Sequence, residues 1–233
     1  MLIGTEQPIK PKFMLAKDLV KDTIPPLKPS DTGKRALRWM DEFRVPQLPV
    51  VSKQNFLGLI SEVDVLGFND LNLPLSHCTL SLVRPYINEN QHVYDAVKFA
   101  TNNKFSVVPV LNDDQLYTGV ITMHDLVECF AELKSVKVPG GIIILEFSAK
   151  HFSFAEVVQV IESNDAMVLS SNINTTDDHT KVELTLKINK IDVTRILAAF
   201  YRYNYTVKAS FHHNDQQEDL QNRFDSFMNY MNI

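Results

Sequence analysis

One segment of this chain is written twice. Gly58-Leu-Ile-Ser61-Glu-Val-Asp64-Val returns 61 residues on as Gly119-Val-Ile-Thr122-Met-His-Asp125-Leu. Upstream, Leu48-Pro49-Val50 returns as Val108-Pro109-Val110, and Leu27-Lys28-Pro29-Ser30 as Ile87-Asn88-Glu89-Asn90, both at an offset of 60. A constant offset with one inserted residue is the mark of a supersecondary unit copied in tandem. Such a unit cannot bury its apolar face alone and packs against its copy. A cleft between the copies is the natural place for the repeated Ser/Thr and Asp to act.

Each copy follows one path. Ser30-Asp-Thr starts a helix whose Ala36, Leu37, Met40 and Phe43 recur at helical spacing. Val45 to Val51 is a short strand, Ser52 to Asn55 a polar turn and Phe56 to Ile60 a second strand, with a helix opening at Ser61. The second copy repeats this order. Asn90 is the expected cap, Val93, Ala96, Val97 and Ala100 form the helix face, Phe105 to Leu111 and Tyr117 to Ile121 are the strands, and Thr122 opens the last helix. Residues 69 to 81 join the copies.

The pattern changes after Ser135 to Gly141, where Pro139-Gly140-Gly141 reads as a domain boundary. Gly141 to Phe147, Ala166 to Ile173, Lys181 to Ile188 and Tyr205 to His212 read as strands, and Ser153 to Ser163 and Asp192 to Tyr203 as helices. That is the βαββαβ, ferredoxin-like order. A terminal helix, 214–233, carries Leu220, Phe224, Phe227, Met228 and Met231 on one stripe that should be covered by protein. The fold class expected is α+β.

Composition narrows function by exclusion. A net charge of −5 argues against a nucleic-acid or anionic-membrane surface. No run approaches ~18 apolar residues, so no membrane span is expected. Met1 to Met14, with Pro8, Lys10, Pro11 and Lys12, has no apolar core and does not read as a signal peptide. Cys78 and Cys129 form no metal or redox motif and read as reduced thiols of a cytoplasmic protein. The histidines make no metal-ligand spacing, and no nucleophile–base set or P-loop is visible. No enzyme activity and no required cofactor are expected.

The doubled Gly-x-x-Ser/Thr-x-x-Asp has two physical readings. A helix start offers free N–H groups and a positive dipole end to an anion. The Ser61 or Thr122 hydroxyl can donate to a phosphate oxygen, and the Asp64 or Asp125 carboxylate can accept from both hydroxyls of a ribose. The same spacing is also a capping box that binds nothing. A cap does not require the Pro-Val, the polar turn and the glycine that both copies share.

Those residues resemble a tandem pair of cystathionine-β-synthase (CBS) domains, a Bateman module, over residues 14–133, with copies at about 14–70 and 76–133. The resemblance implies a regulatory module that binds an adenosine-containing ligand of the AMP, ATP or S-adenosylmethionine type between the repeats. It implies that Asp64 and Asp125 hold ribose, that Ser61 and Thr122 face phosphate, and that the entry segments Thr23-Ile24-Pro25 and Arg84-Pro85-Tyr86 lie near the base. Family members that bind nucleotides often carry basic residues just before the Leu-Pro-Val strand. This chain has Pro46-Gln47 and Ser106-Val107 there, with Arg44 and Lys104 slightly early and His124 as a substitute in the second copy.

Residues 138–213 resemble an ACT domain, and the whole order is similar to bacterial acetoin-utilisation B-type proteins. The loop after the first ACT-like strand, Ser148-Ala-Lys-His-Phe152, lacks the glycine of amino-acid-binding members, so the implied role is assembly. A homodimer is expected, with nucleotide as the regulatory ligand and an unidentified protein effector. The other reading is a non-binding assembly module.

Overall fold

The computed structural model describes residues 14–77, 83–175 and 180–212. The expected terminal helix lies outside them. Two compact units divide at Cys129/Phe130.

The first unit holds both copies as far as Cys129, within the last helix of the second. A short helix α1 (Ala16–Leu19) precedes α2 (Gly33–Phe43), β1 (Gln47–Ser52), β2 (Asn55–Ser61) and α3 (Glu62–Leu66). The second copy runs β3 (Ile87–Asn88), α4 (Val93–Asn103), β4 (Val107–Leu111), β5 (Tyr117–Thr122) and α5 (Met123–Leu133). The repeat is reproduced in backbone detail. β1 and β2 pair antiparallel with a bulge between Val50 and Val51, and β4 and β5 with one between Val110 and Leu111. α2 and α4 end on left-handed residues, Arg44 (φ 54°) and Lys104 (φ 55°), which release the chain into the strand. Leu27 bridges Val50 in parallel as Ile87 pairs with Val110.

One apolar core serves both copies. Leu27, Leu48, Val50 and Ile60 are fully buried with Val107, Leu111 and Val120. Burial of each such side chain stabilises the fold by about 1.5–3 kcal/mol. Tyr117 of the second copy stacks on Phe56 of the first at 6.1 Å, and its N–H donates to Gln54 O at 2.9 Å. Gln47 Oε1 accepts from the N–H and hydroxyl of Ser106, both at 3.1 Å. Gln47 therefore faces the other copy.

The cap of α4 corrects the expectation from sequence. His92 Nδ1, not Asn90, accepts the Tyr94 N–H at 3.1 Å. The Asn90 amide instead donates to Asp113 at 3.1 Å, and its oxygen takes the Lys17 ammonium.

The second unit has β6 (Ile142–Ser148), α6 (Phe154–Glu162), β7 (Val168–Thr175), β8 (Lys181–Ile188), α7 (Thr194–Arg202) and β9 (Thr206–Phe211). The sheet order is β7-β8-β6-β9, antiparallel throughout, which is the ferredoxin-like arrangement. Alternate residues of β6 and β8 (Ile143, Leu145 and Leu184, Leu186) are buried with Val157 and Ile161 of α6 and Ile196 and Phe200 of α7. No described helix is long and apolar enough to cross a membrane.

Candidate functional site

The site begins where β2 and β5 end. Ser61 caps α3: its hydroxyl donates to Asp64 Oδ2 at 2.6 Å and accepts the Asp64 N–H at 3.2 Å, while the Ser61 N–H donates to the same Oδ2 at 2.9 Å. Thr122 and Asp125 repeat this, with the hydroxyl at 2.5 Å, the Thr122 N–H at 2.9 Å and the Asp125 N–H on the threonine oxygen at 3.1 Å. The first N–H of each helix donates back to the strand approach, Glu62 to Pro46 O and Met123 to Ser106 O. The capping box is therefore present in both copies, and it uses one oxygen of each carboxylate.

The second oxygens differ. Among the described residues nothing bonds Asp64 Oδ1, and Asp64 is exposed. Asp125 is buried, 4% exposed, and its Oδ1 takes the Lys21 ammonium at 2.5 Å. Glu128 lies 3.5 Å from the same ammonium. Sequence reasoning missed Lys21, which no local pattern singles out.

Lys21 arrives there because the entry segments are exchanged. The segment entering the first copy bridges β5 of the second, Lys21 to Val120, and the segment entering the second bridges β2 of the first, Val83 to Leu59. Leu59 N–H donates to Val83 O at 3.0 Å. Gly119 (φ +150°) makes the first approach possible, since a Cβ there would stand 2.4 Å from Val20 Cγ1. Its missing side chain admits the chain's own entry segment.

The remaining predicted residues divide. Thr23 is exposed and Pro25 half-buried on the exchanged segment. Ile24 packs its side chain into the core, so only its backbone can meet a ligand. The His124 side chain is exposed and faces Glu128 at 3.8 Å. Arg44 lines a cleft of about 680 Å³ with Asp41, Glu42 and Glu62, a lining whose carboxylates disfavour phosphate. Among the described residues no His/Cys/Asp/Glu cluster is placed to hold a metal.

Electrostatics tie Lys21 to Asp125. Burial pushes the Asp125 carboxyl up, but the Lys21 ammonium and the Thr122 hydroxyl and N–H outweigh it and leave it below its ordinary value. Lys21 is held above its ordinary value by its bond to Asp125 and by that carboxylate's charge. The Asp125 contribution is full above the unfolded carboxyl pKa, about 3.9, and is lost as pH falls through the lower folded value. The Lys21 contribution is full below about 10.4 and is lost as pH rises through the raised folded value. Urea midpoints of the parent and Asp125→Asn should therefore differ most between about pH 5 and 9 and draw together as pH falls below the unfolded carboxyl value of about 3.9. A gap that persists at the acid end would contradict the assignment.

Comparisons with known proteins agree with the repeat. The family model for the CBS domain matches residues 16–69 and 82–132. An uncharacterised 17.7 kDa protein of Acidianus ambivalens is 24% identical over 115 residues, covering 48% of this chain and 70% of that one. The crystal structure of a CBS domain pair/ACT domain protein of Thermotoga maritima is 22% identical, covers 51% of this chain and 98% of its own, and has a TM-score of 0.46. CBSX2 of Arabidopsis thaliana, solved in complex with AMP, is 22% identical, covers 52% and 98%, and has a TM-score of 0.44.

Proposed function

We propose, from the match of residues 16–69 and 82–132 to the CBS-domain model, that this tandem pair makes the protein a regulatory sensor of an adenosine-containing nucleotide. The ribose hydroxyls donate to Asp64 in one cleft and to Asp125 in the other. The phosphate lies on the side of Ser61 and Thr122, whose hydroxyl protons stay with the carboxylates. The exchanged segments, Thr23-Ile24-Pro25 in one case, meet the base through backbone and Pro25. The observation that carries this reading is the Asp64 carboxylate, which keeps Oδ1 outside its cap and open to a donor pair. A ligand that prefers one packing of the copies shifts that packing and the association it controls. CBSX2, a CBS-pair protein, was solved with AMP.

The second unit, with its ferredoxin-like sheet, reads as an ACT-like assembly domain in the manner of acetoin-utilisation B-type proteins. Leu66 of α3 and Val127 of α5 stand at equivalent repeat positions and are 62% and 61% exposed. That shared apolar face supports a homodimer, and a protein effector carries the output.

A thermal-shift panel of AMP, ADP, ATP, S-adenosylmethionine, NAD and cyclic dinucleotides tests the reading. At ~100 times Kd a ligand should add about 2.7 kcal/mol to the folded state. Asp64→Ala and Asp125→Ala should each remove the response of one cleft, and the double variant all of it. A double variant that responds like the parent would put the ligand elsewhere; a parent indifferent to the whole panel would favour the assembly module.

A further inference from the structure

The two carboxylates are repeat equivalents in unequal surroundings. Asp125 is buried and engaged at both oxygens: Thr122 holds Oδ2 and the Lys21 ammonium holds Oδ1. Asp64 has only its cap, and the residue equivalent to Lys21 in the other entry segment, bridged to Leu59 as Lys21 is to Val120, is Val83. Arg84, further along that stretch, makes no bond to Asp64 among the described contacts.

The Asp125 carboxylate has about four acceptor sites; Thr122 takes two and the ammonium one, so a ribose diol, which brings two donors, needs the ammonium's place. Displacing Lys21 into water sacrifices a charge-assisted bond. A phosphate on the same ligand compensates, because it offers the released ammonium a new anionic partner. The Lys21 side chain is 47% exposed, so it can swing while its backbone stays bridged to Val120. The other charged groups at this face are Glu128, 3.5 Å from the ammonium, and His124, 3.8 Å from Glu128.

We propose that Lys21 makes the Asp125 cleft selective for a phosphorylated nucleoside over the bare nucleoside, by passing from the Asp125 carboxylate to the ligand's phosphate as the ribose hydroxyls take its place. The inference rests on the reading of Asp125 as a diol acceptor. It assigns the phosphate-neutralising cation of this cleft to the exchanged entry segment. It also makes the clefts unlike: among the described residues no lysine or arginine is bonded to Asp64.

The test is calorimetric titration of AMP and adenosine into the full chain carrying Asp64→Ala, which leaves only the Asp125 cleft. With Lys21 present, AMP should bind roughly ten- to a hundredfold more tightly than adenosine, the worth of one hydrogen bond to a charged group. Lys21→Met should weaken AMP and tighten adenosine until the two lie within about threefold of each other, and Lys21→Arg should retain most of the preference. Equal weakening of both ligands in Lys21→Met would show a structural role and overturn the inference. So would an unchanged ratio, with the nucleotide reading left standing. If the Asp64→Ala chain binds neither ligand, the diol reading of this cleft fails and the inference falls with it.

Discussion

Gly140→Ala should cost the second unit about 3–5 kcal/mol, the sum of backbone strain and an unrelievable clash. Gly140 has φ +158°, a conformation that side chains rarely adopt, and a Cβ there would stand 1.9 Å from the carbonyl oxygen of Ile188. That atom is backbone at the end of β8, so no rotamer change removes the conflict. The neighbouring bonds hold the strands in place: Gly141 N–H donates to Lys190 O at 2.7 Å, and Ile188 N–H to Gly141 O at 3.0 Å. Separating Gly140 from Ile188 means parting the end of β8 from the approach to β6, its neighbour in the sheet. For a unit of this size the loss corresponds to a melting decrease of more than about 12 °C. Hydrogen exchange should show amides of 142–211 losing protection. A variant that melts within about 2 °C of the parent would refute this packing.

Phe56→Ala should cost about 3–5 kcal/mol in the first unit, the usual range for an aromatic lost from a core. Phe56 is 1% exposed. It does more than fill one copy, because its ring stacks on Tyr117 of the other, beside the bridge from Asn55 to Leu116. The cavity would lie where the copies meet. The substitution should therefore weaken nucleotide binding as well as folding, though Phe56 stands apart from the carboxylates. Phe56→Leu, which fills most of the space, should keep more than about half of the stability. Chemical denaturation checks both, and a loss below about 1 kcal/mol for Phe56→Ala would mean that the shared core is loosely packed.

Much of this architecture was legible because it is periodic. The doubled segment maps onto two hairpins with the same bulge, at Val50/Val51 and Val110/Leu111, and onto two left-handed helix ends at Arg44 and Lys104. The βαββαβ order was read from the succession of strand and helix ranges, and β8 alternates in burial residue by residue. The edge strand β7 has no such alternation, and its expected range of Ala166 to Ile173 sits two residues ahead of the observed Val168–Thr175. The cap of α4 was misplaced because Asn90 and His92 can both accept a bond. Which one caps the helix depends on Asp113, a distant turn residue that claims Asn90.

The site was legible in part for the same reason. Ser61, Asp64, Thr122 and Asp125 recur, and the repeat marks them. Their surroundings do not recur. Lys21 lies 104 residues from Asp125 in sequence and reaches it only because the entry segments are exchanged. A pairing over that distance leaves no local pattern. Ile24 was a candidate ligand contact from its position, but its apolar side chain gains more by burial in the core.

The most direct test of the sensor account is a crystal structure of the full chain with AMP. The account predicts ribose hydroxyls within about 2.6–3.2 Å of Asp64 Oδ1, of Asp125 Oδ1, or of both, with the capping bonds to Ser61 and Thr122 intact. AMP seated away from both carboxylates, each still bonded only as in the unliganded chain, would contradict it.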